Sequence, residues 1–196
     1  MTGRPDVRRA GIALAVSLAL AAGAQVALQA AYARVDAPLP LLTYGLLDDP
    51  GTLRSLYASL QEGGRLGLLI RVEVIDLGWA AALALATTAL PRFVGAAGWH
   101  RRPRPARWMV RWAALWALPS LCDVVENAFS LAMLTQPGDF PAWWAGAHGL
   151  AARAKLAATG LAVLSGLILT TIVAVRPRRR AAHADESTDV EFLPSP

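Results

Sequence analysis

Asp123, Glu126 and Asn127 stand three and four residues apart inside an apolar run long enough to cross a bilayer. Residues at that spacing are neighbours on one helical face. Two further acids, Glu73 and Asp76, share a face of another apolar stretch, together with Arg65. Ionisable groups inside a membrane are costly and generally face a protein interior, so they mark a candidate site. Two kinds of chemistry suit them. Fully paired, they form a hydrogen-bonded and ionic network that fixes helix register. Left poorly paired and desolvated, carboxyls of this kind carry protons, bind a cation, or hold a polar or cationic headgroup.

Composition places these residues in a membrane protein. Of 196 residues, 55% are hydrophobic and 17% charged, and mean hydropathy is +0.40. A soluble domain carries about 25% charged residues. The formal net charge is +5. The arginines gather at the ends of apolar segments, as topology signals do, which argues against a nucleic-acid partner. Cys122 is alone, which excludes an internal disulfide or a cysteine-rich metal site. His100, His148 and His183 are dispersed, so neither a metal centre nor a paired-haem site is expected. No glycine-rich phosphate loop and no Gly-x-Ser-x-Gly elbow occurs, and no cofactor is implied.

The elements that must position the acids follow from the apolar runs. Residues 1–9 form a basic tail. The first span covers about 10–31, with Gln25 and Gln29 on one face; Ala31-Tyr32-Ala33 resembles a signal-peptidase site, so a cleaved leader is the alternative. In the long connection that follows, Pro38 and Pro40 favour extended backbone. Asp49-Pro50 then reads as an N-cap and first helical residue. Leu53, Leu56, Tyr57 and Leu60 fall at helical spacing, and Gly63-Gly64 stops the element. This predicts a short amphipathic helix on the membrane surface or over the mouth of the bundle.

The second span, about 68–90, must take Glu73 and Asp76 into the membrane, because the purely apolar part alone is shorter than the roughly 20 residues a crossing needs. Arg71 points away from them and snorkels to the interface. An arginine- and proline-rich connection flanked by Trp99 and Trp108 leads to the third span, about 110–134, where Pro119 predicts a kink just before Asp123. The fourth span, about 150–175, carries Lys155 near its start and a stripe of Ala154, Ala158, Ala162 and Gly166 suited to close helix packing. Lys155 and Arg153 lie about 200° apart around that helix, so at most one points inward. Residues 176–196 show no periodicity and read as a disordered tail.

Positive residues concentrate in the N-terminal tail, the 91–111 connection and the C-terminal tail. The positive-inside rule therefore predicts four spans with both termini cytoplasmic, in the inner membrane of a bacterium. The expected architecture is all-α: a polytopic four-helix membrane bundle with a short extracytoplasmic amphipathic helix. Arg65, Glu73, Asp76, Asp123, Glu126, Asn127 and Lys155 form the candidate polar cluster in its outer half.

Gly63-Gly64-Arg65 before span two, Asp76 within it, and Asp123-x-x-Glu126-Asn127 in span three resemble the pattern of an uncharacterised family of four-span bacterial integral membrane proteins. The resemblance covers roughly residues 10–175. A tyrosine that the pattern places soon after Arg65 is lacking here. The resemblance implies architecture and a site, not a reaction. Three functions fit the residues. The first is a binding or accessory protein whose acidic cluster contacts a lipid, a small cation or a partner helix. The second is a small proton- or cation-coupled transporter acting as an oligomer, and the third an enzyme modifying a membrane lipid by acid–base chemistry. The expected partners are the lipid bilayer, a lipid or small-cation ligand, and a second copy or a partner membrane protein.

Overall fold

The computed structural model describes residues 6–99 and 103–174 and is built from helices, with no strand among them. In chain order they are α1 (Val7–Val35), α2 (Leu41–Gly45), α3 (Pro50–Glu62), α4 (Leu66–Gly98), α5 (Pro103–Arg111), a 3₁₀ turn (Ala113–Ala117), α6 (Leu118–Thr135) and α7 (Ala142–Ala174). Three segments are long and apolar enough to cross a membrane: Val7–Val35, Ala113–Thr135 and Ala142–Ile172. The expected tail 176–196, with Arg101 and Arg102, lies outside the described residues.

Local chemistry sets the helix ends. The Asp6 carboxylate caps α1 by accepting from the backbone N–H groups of Arg8 and Arg9. Asp49 caps α3 by accepting from Thr52 N–H at 2.6 Å, with Pro50 at the first helical position. These hydrogen bonds hold the Asp49 carboxyl below its ordinary pKa. Leu53, Leu56, Tyr57 and Leu60 are all buried, as their spacing predicts. Gly63 closes α3, and Gly64 turns the chain with φ +66°, a left-handed conformation that disfavours a side chain.

Several boundaries differ from those predicted. α1 runs over Val7–Val35 against about 10–31, taking in the end of the 1–9 tail, and α7 starts at Ala142 against about 150. The connection expected over 91–111 is mostly helical. The last turns of α4 run to Gly98, and α5 buries Ala106 and Met109 while exposing Arg104, Arg107 and Arg111. The apolar segment expected as the third span thus starts at Ala113 rather than near residue 110. Its break also lies upstream of the expected kink, in the 3₁₀ turn. Pro119 sits in the first turn of α6, where its missing N–H has no helical carbonyl to serve. The small-residue stripe of α7 is engaged only in part. Ala154 is exposed, whereas a side chain at Gly166 would collide with the Trp116 ring at 2.7 Å.

The helices form two packed pairs. α1 runs along α4 and α6 runs along α7, and the pairs join where α4 meets α6. α1 and α7 form no packed interface with each other. The main core lies at one end. There Leu53, Tyr57 and Leu60 of α3 and Tyr44 of α2 pack on Val35, Leu69, Val72, Met133 and Phe140. Against water, each such fully buried side chain contributes about 1.5–3 kcal/mol. The long apolar faces of α1 and α7 stay exposed; Val26, Leu161 and Leu167 are examples.

Candidate functional site

The site is assembled at the α3 end from five helices. α4 supplies Glu73 and Asp76 on successive turns. α6 supplies Asp123, Glu126, Asn127 and Ser130, whose i, i+3, i+4, i+7 spacing places them on one face. α7 supplies His148 and Lys155, α2 supplies Tyr44, and α1 contributes Gln25 and Gln29. They border a cavity of about 420 Å³. Its polar lining includes Glu73, Asp76, Glu126, Asn127 and Lys155, and its apolar lining Leu28, Leu41, Trp79, Leu83 and Leu156. Asp123 lies behind this lining and is 0% exposed.

Two groupings divide the cluster. In the first, Glu73 Oε1 accepts from the Tyr44 hydroxyl at 2.8 Å and from Ser130 Oγ at 2.7 Å. The two hydroxyls are themselves 2.8 Å apart, and the Tyr57 hydroxyl is 3.4 Å from that of Tyr44. Desolvation on burial is the main reason both phenols are harder to ionise. It pushes Tyr57 up to about 12 and Tyr44 well above its ordinary value. Both therefore remain protonated across the physiological range and serve Glu73 as hydrogen-bonding neighbours.

In the second grouping, Lys155 Nζ lies 2.7 Å from Asp123 Oδ1 and 2.6 Å from Glu126 Oε2. The first contact is a directed hydrogen bond. The second is close enough for ion pairing, yet Glu126 Oε2 has no partner at hydrogen-bonding angles. The contact is an ion pair without a well-directed hydrogen bond. Asp123 Oδ2, Ser120 Oγ and Asn127 Nδ2 are also buried without a hydrogen-bond partner. Asp76, half-buried at the cavity wall, makes no salt bridge among the described residues. One ammonium thus serves a neighbourhood of four carboxyl groups.

Six of the seven residues singled out from sequence come together: Glu73, Asp76, Asp123, Glu126, Asn127 and Lys155. Arg65 does not. Its guanidinium donates to the backbone carbonyls of Val35 and Asp36 and pairs with the Asp36 carboxylate at 3.1 Å. Arg65 precedes the first turn of α4, so its side chain reaches the end of α1 instead of the bundle interior. It clamps α1 to α4 and belongs to the scaffold. Arg153 likewise turns away and pairs with Asp48, which leaves Lys155 as the inward cation. This contact is close because a Cβ at Gly149 would lie 2.5 Å from Asp48 Cβ.

Sequence reasoning passed over Tyr44 and Ser130. Ser130 was detectable, since it continues the Asp123–Glu126–Asn127 face by one more turn. Tyr44 sits on α2, a short helix within the connection between α1 and α3, and only the tertiary fold brings it over Glu73. His148 is anchored to that connection: its Nδ1 is 3.0 Å from the Leu47 carbonyl, which can only accept, so this nitrogen carries the proton. Among the described residues, no group of three or more His, Cys, Asp or Glu side chains is placed to hold a metal ion.

Comparisons with protein-family models, with curated proteins and with solved structures return no match for this chain.

Proposed function

We propose that this chain is a four-span inner-membrane protein that binds a cation-bearing ligand at the acidic cavity, acting as a binding or accessory protein and not through catalysis. The observation that carries this reading is the charge imbalance: Asp76 and Glu126 line a cavity in which, among the described residues, Lys155 is the one Lys or Arg side chain, already shared with Asp123. Negative charge held in a low-dielectric space favours a cation far more than the same charge does in water.

Several features support the membrane reading. α4 has 33 residues, as α7 does, and at 1.5 Å per residue either exceeds a hydrocarbon core of roughly 30 Å. α4 serves as the fourth crossing because Glu73 and Asp76 turn into the bundle, while Arg71 stays exposed near the end where headgroups would lie. Arg8, Arg9, Arg104, Arg107 and Arg111 all belong to the opposite end, and by the positive-inside rule this supports a topology with both termini in the cytoplasm and α3 outside. The likeness to the family of four-span bacterial proteins fits the same arrangement.

The test is thermal unfolding of the purified protein in nanodiscs against a panel of sodium, potassium and amines of different tail length. At least one cation should raise Tm in a saturable way. Asp76→Asn and Glu126→Gln should each remove that rise. A panel with no saturable rise in the wild type, or a rise that survives both substitutions, overturns the reading.

A further inference from the structure

Resting on the cation-binding reading, we infer that the ligand is a membrane-dissolved amphiphile with a protonated amine head, and that it reaches the cavity sideways between α1 and α7.

Three observations converge on this. First, the two helix pairs leave α1 and α7 without a packed interface, and the cavity is lined from both of those helices. Gln29 of α1 is exposed at its rim, and Leu156 of α7 is 46% exposed there. The opening therefore faces the space that acyl chains occupy in the bilayer. Second, the cavity lining is mixed. Leu28, Leu41, Leu42 and Leu83 give it apolar lining that a small hydrated ion cannot use, beside the carboxyl groups of Glu73, Asp76 and Glu126. A ligand that is apolar at one end and charged at the other satisfies both. Third, Asn127 lines the cavity, is 2% exposed, and its side-chain Nδ2 makes no hydrogen bond of good geometry, the Asp76 carboxylate being its near neighbour. A buried donor of that kind is unfavourable when its hydrogen bond is left unmade. Its need is for an acceptor, such as a hydroxyl or carbonyl oxygen beside the amine. An amine with a neighbouring oxygen function and a hydrocarbon tail meets all three requirements.

α2 borders the cavity toward the α3 end through Leu41, Leu42 and Leu46, of which Leu42 is 64% exposed. A Cβ at Gly45 would lie 2.9 Å from Glu126 Oε1, so α2 packs closely on the acidic wall. The lateral route rests on the unpacked α1–α7 seam.

The probes are dodecylamine, its neutral counterpart dodecanol, and butylamine, each titrated into wild-type nanodiscs with Tm and bound fraction as readouts. Dodecylamine should bind with Kd at least about tenfold below that of either analogue, the tail and the charge each being required. Gln29→Trp and Leu156→Trp narrow the opening and should slow dodecylamine association with little change in unliganded Tm. Gln29→Ala and Leu156→Ala widen it and should speed association, so the outcome does not depend on the larger substitutions folding. Asn127→Leu should abolish the preference for an amine bearing a vicinal hydroxyl over the plain amine. Equal affinity for dodecylamine and butylamine, or association rates indifferent to all four rim substitutions, would sink the lateral amphiphile while leaving an acid-dependent cation site standing. Dodecanol binding as well as dodecylamine would remove both readings.

Discussion

Glu73 and Asp76 are one turn apart on α4, yet they occupy opposite kinds of surroundings. Glu73 is 4% exposed and takes hydrogen bonds from Tyr44 and Ser130 on the other two walls. Asp76 faces the cavity and makes no salt bridge among the described residues. The same contrast runs through α6. Ser130 is fully engaged, whereas Asn127 and Glu126, a turn earlier, leave atoms without hydrogen-bond partners. One end of the cluster has the character of a finished structural network. The other has the character of a site completed by something else. Burial alone does not separate them, since Glu126 and Asn127 are as buried as Glu73 and Ser130. The difference lies in whether hydroxyl donors from α2 and α6 reach the carboxyl.

The largest effect that bears on this contrast comes from removing its one cation. Lys155→Met leaves Asp123 and Glu126 buried without a counter-charge, a situation that costs about 3–5 kcal/mol. Unfolding in detergent should show a loss of that size. Replacing all three groups together, as Lys155→Met with Asp123→Asn and Glu126→Gln, should recover most of it, because no unpaired charge remains. A triple variant as unstable as Lys155→Met alone would mean that the ammonium contributes by packing rather than by charge.

A smaller effect belongs to the hydroxyl network. Ser130→Ala removes one donor to Glu73 and should cost about 1–3 kcal/mol. Tyr44→Phe should cost a similar amount. Because the two hydroxyls touch each other as well as Glu73, their double variant should depart from additivity by about 0.5 kcal/mol or more. Strict additivity would show that the three oxygens do not act as one unit.

The architecture around these groups was largely readable from residue patterns. The amphipathic face of α3, its Asp49 cap and its glycine stop are local features, and all three appear as the sequence implies. The acid-bearing faces of α4 and α6 were legible because a helix of known period fixes which residues share a side. Lys155 was identified as one of two competing cations, and the geometry chose it because Asp48 holds Arg153 outside. What the sequence concealed was tertiary in origin. Nothing local reveals that Tyr44 lies over Glu73, or that Arg65 swings to Asp36 at the end of α1. α5 was hidden for a different reason. Its arginines were read as topology signals, although Ala106 and Met109 among them have helical spacing.

Asp76→Asn should change stability least and is the sharpest probe of the contrast. The amide is nearly the same size and shape as the carboxylate it replaces. No ion pair is lost, and one of several neighbouring negative charges disappears. Stability should therefore stay level or rise by up to about 1 kcal/mol, the behaviour of a residue kept for function at some cost to the fold. Glu73→Gln is the matched control on the adjacent turn. There the substitution puts an N–H pair against hydroxyls that already donate, so stability should fall. If Asp76→Asn were to fall as far as Glu73→Gln, the two acids would be equivalent structural groups. The unevenness of the cluster would then vanish, and with it the reason to place a ligand in the cavity.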